Sequence, residues 1–269
     1  MAITAKDVQT LRQRSGLGMM ECKQALEEVG GDMDKAVDLL RQKGLSKMDS
    51  RTDRASAEGK VAVALSDDQS KGAIVEVNAE TDFTANNDQF QKMIDTVSAE
   101  ALKQDAGDVE KTDAMQSAID EVRITTKENV QFGRGKVLGG TGDTRIGSYV
   151  HFTGKIGVLV EVSGNPDEEL LKDLCMHISA ASPAPLGITE DEVPAELVEK
   201  ERALAKQQAI DSGKPENIAE KMVEGKIRKY YDEVVLLRQA FIKDDKKQIK
   251  DLLPKGVEIK NFARFQVGG

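Results

Sequence analysis

Two histidines, His151 and His177, and two cysteines, Cys22 and Cys175, are the only imidazoles and thiols in 269 residues. They are too few for a His-rich metal centre. No C-x-x-C, H-E-x-x-H or G-x-x-x-x-G-K-[ST] run supplies the spacing that zinc or a nucleotide phosphate requires. Both cysteines lie on predicted helix faces beside apolar neighbours, where a thiol behaves as a small hydrophobe. Glycines at 133, 135, 139, 140 and 142 suggest a phosphate loop. Such a loop must lead from a strand into a helix so that the helix amides face the anion. Residues 133–143 do not, and read as a flexible hairpin between two strands. Asp67 and Asp68 fall in a turn. Asp167, Glu168 and Glu169 open a helix, where carboxylates complement the backbone dipole. None of these acids needs a catalytic role. The chain is expected to use no cofactor, no metal and no covalent chemistry.

What stands out instead is apolar residues in polar surroundings. Phe83 sits in Glu80-Thr81-Asp82-Phe83-Thr84-Ala85-Asn86-Asn87-Asp88, between an apolar strand and its helix. It is either a wedge for another protein or a ring tucked under its own loop. Leu17, Met19 and Met20 occupy a tight turn with Gly16 and Gly18. Met recurs at adaptable partner-binding surfaces, so this turn reads as a docking surface; the alternative is that a Met fills a small core.

The elements that carry these residues can be placed. Thr4 and Asp7 fit a capping box ahead of a helix with Val8 and Leu11. A second helix over 19–29 carries Cys22, Ala25, Leu26 and Val29 at spacings of three and four. Asp32 caps a third, with Ala36, Val37 and Leu40, and Gly44 is expected to end it. Residues 1–44 thus form a three-helix partner-docking unit, and 45–59 a polar linker. A strand–strand–helix unit then appears twice. Residues 60–65 pair with 72–77, followed by a helix bearing Phe90, Met93, Ile94 and Val97. Residues 147–152 pair with 156–162, followed by a helix bearing Leu170, Leu171, Leu174 and Ile178. Each apolar run ends Val-Glu-Val. Residues 195–231 form an inserted antiparallel helical hairpin with narrow stripes at Leu197 and Leu204 and at Ile218 and Met222, broken by Ser212-Gly213-Lys214-Pro215. Residues 234–242 and 259–267 read as strands, with a short helix near 248–253. The fold class is α+β. The divisions are 1–44, 45–59, a core half over 60–140, and a second core half over 141–269 that includes the hairpin.

Composition narrows the partners. The chain is 39% hydrophobic and 32% charged, with a formal net charge of −9. Residues 1–44 hold seven basic and seven acidic residues, so the excess lies in the body. Phosphate backbones are bound by clustered cations, and no direct nucleic-acid partner is expected. No apolar run approaches the roughly 18 residues of a membrane span. The absence of a disulfide framework and of a leader points to the cytoplasm.

Gly16-Leu17-Gly18-Met19-Met20-Glu21-Cys22-Lys23-Gln24-Ala25-Leu26, Gly30-Gly31-Asp32-Met33-Asp34-Lys35-Ala36-Val37, Glu80-Thr81-Asp82-Phe83 and Met176-His177-Ile178-Ser179-Ala180-Ala181-Ser182-Pro183 together closely resemble the bacterial elongation factor Ts family. The resemblance extends through Ser212-Gly213-Lys214-Pro215 and covers nearly the whole chain in order. It implies a ubiquitin-associated-like three-helix unit, a core of two α+β subdomains and a coiled-coil hairpin. It also implies guanine nucleotide exchange on elongation factor Tu, bound both with GDP and nucleotide-free. By the same resemblance, the Leu17, Met19 and Met20 turn contacts the partner's G domain. Thr81, Asp82 and Phe83 intrude near its magnesium site, and His151 faces the same domain. Self-association through the second core half or the hairpin is a further expectation. Thr84 stands where the family often has Val. Thr126-Lys127-Glu128-Asn129 departs from a common family motif, so no contact is carried over there. The chain stops at Gly269, where many relatives continue into a C-terminal helical module, and that module's contact is expected to be absent. The rival from another class is a non-catalytic adaptor whose three-helix unit binds ubiquitin-like or helical ligands.

Overall fold

The computed structural model describes residues 3–49, 54–140, 142–211, 213 and 215–268. The first three helices are α1 (Ala5–Ser15), α2 (Met19–Glu28) and α3 (Met33–Asp49). Thr4 caps α1 in the expected box, its side chain accepting from Asp7 N–H while Asp7 accepts from Thr4 N–H. Leu11, Cys22, Leu26, Ala36 and Leu40 close a small core. Gly44 does not end α3. The helix runs on to Asp49, because the glycine serves packing: a Cβ there would lie 2.9 Å from Cγ1 and Cγ2 of Ile124. That isoleucine belongs to the three-helix core although it lies in α6 (Asp113–Thr126). The helical unit is therefore seated on the body. The expected linker 45–59 is shorter than that: residues 45–49 continue α3, residues 58 and 59 open the first strand of the body, and residues 50–53 fall outside the described residues.

Among the described residues the body contains two larger antiparallel sheets and a small two-stranded one. The first has the order β1 (Glu58–Leu65), β2 (Lys71–Ala79), β4 (Gln131–Gly139) and β3 (Gly107–Asp108). The second has the order β5 (Thr144–Val150), β6 (Ile156–Ser163) and β9 (Glu258–Gln266). The two apolar runs are the inner strands β2 and β6, which explains why they lack alternation: both faces are covered. Ala73, Val75 and Val77 pack on α5 (Asp88–Leu102) and α6 through Phe90, Ile94, Met115 and Ile119. Val158, Val160 and Val162 pack on α7 (Glu168–Ala180) through Leu174 and Ile178. The opposite faces meet each other through Val61, Ile74, Leu138, Ile146, Leu159 and Phe265.

Each Val-Glu-Val ending faces a register shift, between Glu76 and Val77 against β4 and between Glu161 and Val162 against β9. In β4 the extra residue is Gly133, where a Cβ would meet Asn78 Oδ1 at 2.4 Å. This corrects the flexible-hairpin expectation for 133–143. Most of that stretch is strand, its glycines admit close neighbours, and the chain leaves Gly139 for the other sheet. Thr141 lies outside the described residues.

The hairpin is present as α8 (Ala195–Asp211) and α9 (Glu216–Val234), with Ser212 and Lys214 outside the described residues. Its seam differs from the expected stripe. Val198, Ala205, Ala209 and Ile227 are buried, whereas Leu197, Leu204, Ile210 and Ile218 are exposed. Small residues let the helices approach, and the larger ones face out. Residues 234–242 are mostly not a strand. Helix α9 runs to Val234, Val235 makes an isolated parallel bridge to Gly187, a 3-10 turn covers Leu236–Arg238, and Ala240–Phe241 (β7) pairs with β8 (Asp244–Gln248). Burial of Leu236 and the ties from Arg238 to Asp232 and Glu190 favour the turn. The short helix is α10 (Ile249–Leu252).

Candidate functional site

Phe83 lies on α4 (Asp82–Ala85), a single turn between β2 and α5. Thr81 caps this turn, its hydroxyl accepting from Thr84 N–H at 3.3 Å. Asn87 caps α5 in the same way, accepting from Phe90 N–H at 2.7 Å. Two caps so close together leave the intervening residues little freedom. Thr84 and Ala85 turn inward and are buried, which leaves Phe83 outward and 85% exposed. Of the two sequence alternatives, the tucked ring is not what forms. Asp82 is exposed beside it.

The loop is held by residues that sequence reasoning set aside. Glu128 accepts from Thr81 Oγ1 at 2.7 Å and from Thr81 N–H at 3.1 Å. One residue away on each side the pattern reverses: Glu80 accepts from Asn129 N–H at 2.6 Å. Arg54 adds a contact to Glu80 at 3.4 Å, and its carbonyl accepts from Asn129 Nδ2 at 2.7 Å. Two adjacent pairs thus lock the end of β2 to the segment after α6. Charge-assisted bonds of this kind are the stronger class.

The same segment reaches the helical turn. Lys127, in the left-handed region at the end of α6, lies 3.6 Å from Glu21. Glu21 belongs to the first turn of α2, next to Met19 and Met20, and accepts from Gly18 N–H. Met20 is 65% exposed and Met19 is also exposed. Leu17 is not a surface residue: it is buried in the three-helix core, because the turn folds it under α2 while the two methionines begin that helix. The expected docking turn therefore reduces to Met19 and Met20. Residues 127 and 128 link it to the Phe83 loop. Only the four-residue departure at 126–129 marked this segment in the sequence, and it gave no sign of the contacts.

His151 lies beyond the end of β5, in a turn rather than in the strand. Its Nδ1 is 2.8 Å from Thr153 Oγ1. His177 is buried, with Nε2 donating to Gln239 Oε1 at 3.0 Å, and burial lowers its pKa. Cys22 and Cys175 are buried and unpaired with each other. Burial pushes the Cys175 thiol up to about 12, which removes it as a nucleophile at neutral pH. Among the described residues, no three His, Cys, Asp or Glu side chains are grouped to hold a metal ion. No helix there is long and apolar enough to cross a membrane. A groove of about 440 Å³ separates α1 and α3 from α5 and α6; its rim includes Arg14, Arg41, Lys92 and Glu121, and it has no His or Cys.

The family model described as "Elongation factor TS" matches residues 80–269, beginning at the glutamate that opens the Phe83 loop. Elongation factor Ts of Methylococcus capsulatus (strain ATCC 33009 / NCIMB 11132 / Bath) is 46% identical over 277 residues. Those of Halorhodospira halophila (strain DSM 244 / SL1) and Alkalilimnicola ehrlichii (strain ATCC BAA-1101 / DSM 17681 / MLHE-1) are 43% and 42% identical. Each alignment covers 100% of this chain and 93% of the relative. The chain belongs to the elongation factor Ts family. Its role is that of a translation elongation factor, in protein biosynthesis.

Proposed function

We propose that the chain is a guanine nucleotide exchange factor for elongation factor Tu, acting in the cytoplasm without covalent chemistry of its own. Phe83 is the wedge, with Asp82 beside it and Thr81 fixing both. Met19 and Met20 form a second contact on the same partner. The observation that carries this reading is Phe83, 85% exposed on a one-turn helix clamped from Glu128. An aromatic side chain held rigidly in water is poised for burial in another protein.

The mechanism is linkage. An exchange factor binds the empty partner more tightly than the loaded one, and reciprocity requires that it weaken nucleotide. A ring forced in beside the partner's magnesium displaces the groups around it. Less neutralisation of phosphate charge then loosens GDP. GTP refills the site and expels the factor through the same coupling. We also propose the organisation this implies: a ubiquitin-associated-like docking unit, expected over 1–44 and extended to Asp49 by α3, and a duplicated core, 60–140 and 141–269. The hairpin projects from the second half and is available for self-association. The bulge shared by both Val-Glu-Val strands supports the duplication.

The test is stopped-flow release of a fluorescent GDP analogue from elongation factor Tu. The unmodified chain should accelerate release. Phe83→Ala should slow the accelerated rate about tenfold to a hundredfold, from the roughly 1.5–3 kcal/mol of a fully buried Phe side chain. A folded Phe83→Ala variant with unchanged exchange would remove the wedge.

A further inference from the structure

Phe152 is 92% exposed, more than Phe83 at 85% and more than any other large hydrophobic residue described. It lies in the turn between β5 and β6, one residue after His151. Its ring rests on the imidazole, with centroids 4.3 Å apart and planes at 44°. The imidazole is itself fixed, by Thr153 Oγ1 at 2.8 Å from Nδ1. The turn closes through Gly154 N–H donating to His151 O at 2.7 Å. This ring is displayed on a braced platform.

The turn is tied to the sheet that delivers Phe83. Val61 N–H of β1 donates to Gly154 O at 2.8 Å. Lys155 Nζ lies 2.6 Å from Glu58, the first residue of β1. Glu58 pairs with Ala79, the last residue of β2, four residues before Phe83. The two sheets meet face to face so that Gly157 sits on Val61, where a Cβ would be 2.4 Å away. The β5–β6 turn and the β2–α4 loop therefore leave the stacked sheets at the same end. One strand separates the turn from β2, a span of about 10 Å at two strand spacings. A standard protein interface covers roughly 800 Å² on each partner, ample for both rings.

We infer that Phe152 is a second apolar anchor for the partner bound through Phe83, and that His151 positions it rather than making the principal contact. This rests on the exchange reading above and adds a residue and a division of labour. Phe83 disturbs the nucleotide site. Phe152, on the turn at the same end of the stacked sheets, binds loaded and empty partner alike. Uniform binding of that kind changes KM and leaves kcat unaltered.

Exchange kinetics over a range of elongation factor Tu·GDP concentrations separate these roles. Phe152→Ala should raise KM about tenfold, the lower end expected for burying a Phe side chain, with kcat unchanged. Phe83→Ala should lower kcat. His151→Ala should raise KM in the same way as Phe152→Ala, and the double variant should be no worse than Phe152→Ala alone. Because Phe152 packs on no core, its variant should keep the unmodified melting temperature, and circular dichroism checks that. If Phe83→Ala slows exchange while Phe152→Ala keeps the unmodified KM, the anchor is overturned and the exchange reading stands. Additive losses in the double variant would overturn the positioning role of His151. Failure of the unmodified chain to accelerate release overturns both readings.

Discussion

Replacing Glu128 with alanine removes the acceptor of two hydrogen bonds to Thr81, at 2.7 and 3.1 Å, without touching any exposed residue of the Phe83 loop. Hydrogen bonds to a charged group contribute about 1.5–3 kcal/mol each when desolvated. This pair is only partly buried, which places it at the lower end, about 2–3 kcal/mol together. Thr81 in turn caps α4, so losing Glu128 also weakens the bond from Thr84 N–H. The neighbouring pair of Glu80 and Asn129 remains and holds part of the loop. If all of a 2 kcal/mol loss reached the interface, exchange would fall about thirtyfold; with the remaining pair taking some of the strain, about three- to thirtyfold is expected.

The assay is again fluorescent GDP release from elongation factor Tu, read with the melting temperature of each variant. Glu128→Gln keeps a carbonyl acceptor for Thr81 and should lose less than Glu128→Ala. Thr81→Val and Glu128→Ala share the 2.7 Å bond, so the double variant should lose less than the sum of the two single changes. Full exchange activity from a folded Glu128→Ala chain would show that Phe83 needs no clamp.

Other consequences are open to measurement. Removing residues 1–49 should leave a cooperatively folded body but expose Ile124, for about 1.5–3 kcal/mol and a melting temperature lower by about 3–10 °C; loss of cooperative unfolding would show that the helical unit belongs to the main core. Gly44→Ala should lower stability in urea by about 1–3 kcal/mol through overpacking against Ile124, outweighing the gain of about 1 kcal/mol in helix propensity; a more stable variant would refute the packing role. His177 has a folded pKa below its ordinary 6.5, so its contribution is whole above that value and is lost as pH falls from 6.5 through the lower folded value; His177→Gln should flatten that part of the stability–pH curve. Replacing 202–226 by a short Gly/Ser link should leave GDP release unchanged while keeping the hairpin base at Val198, Tyr230 and Val234; a large loss would give the hairpin a part in opening the nucleotide site.

The residues legible in the sequence share a physical property: their demands are local or periodic. The Thr4 and Asp7 cap, the apolar runs of β2 and β6, and the helix faces at Phe90–Val97 and Leu170–Ile178 all follow from spacing alone. Gly44 and Gly133 misled because glycine answers two demands that look alike in one dimension. It ends helices and bends loops, yet at 44 and 133 it admits a neighbour's atoms to within 2.9 and 2.4 Å of where a Cβ would stand. The hairpin misled similarly. Larger Leu197 and Leu204 give the stronger apolar signal, but Ala205 and Ala209 make the seam because small side chains permit close helices.

The candidate site divides along the same line. Phe83 was visible because an apolar residue in a polar run violates its surroundings, and such a violation can be seen in one chain. Glu128 violates nothing. A glutamate after a helix is ordinary until a threonine 47 residues earlier is found to donate to it. Polar partners brought together by sheet pairing leave no period, so the outward-facing residue was readable and the residues that hold it were not. For a rigidly displayed anchor this matters energetically. The order of the loop is set before the partner arrives, and the entropy of fixing it does not have to come from the interface. The braced Phe83 loop and the braced Phe152 turn should therefore lose exchange activity through substitutions that never touch the partner, and Glu128→Ala and His151→Ala are those substitutions.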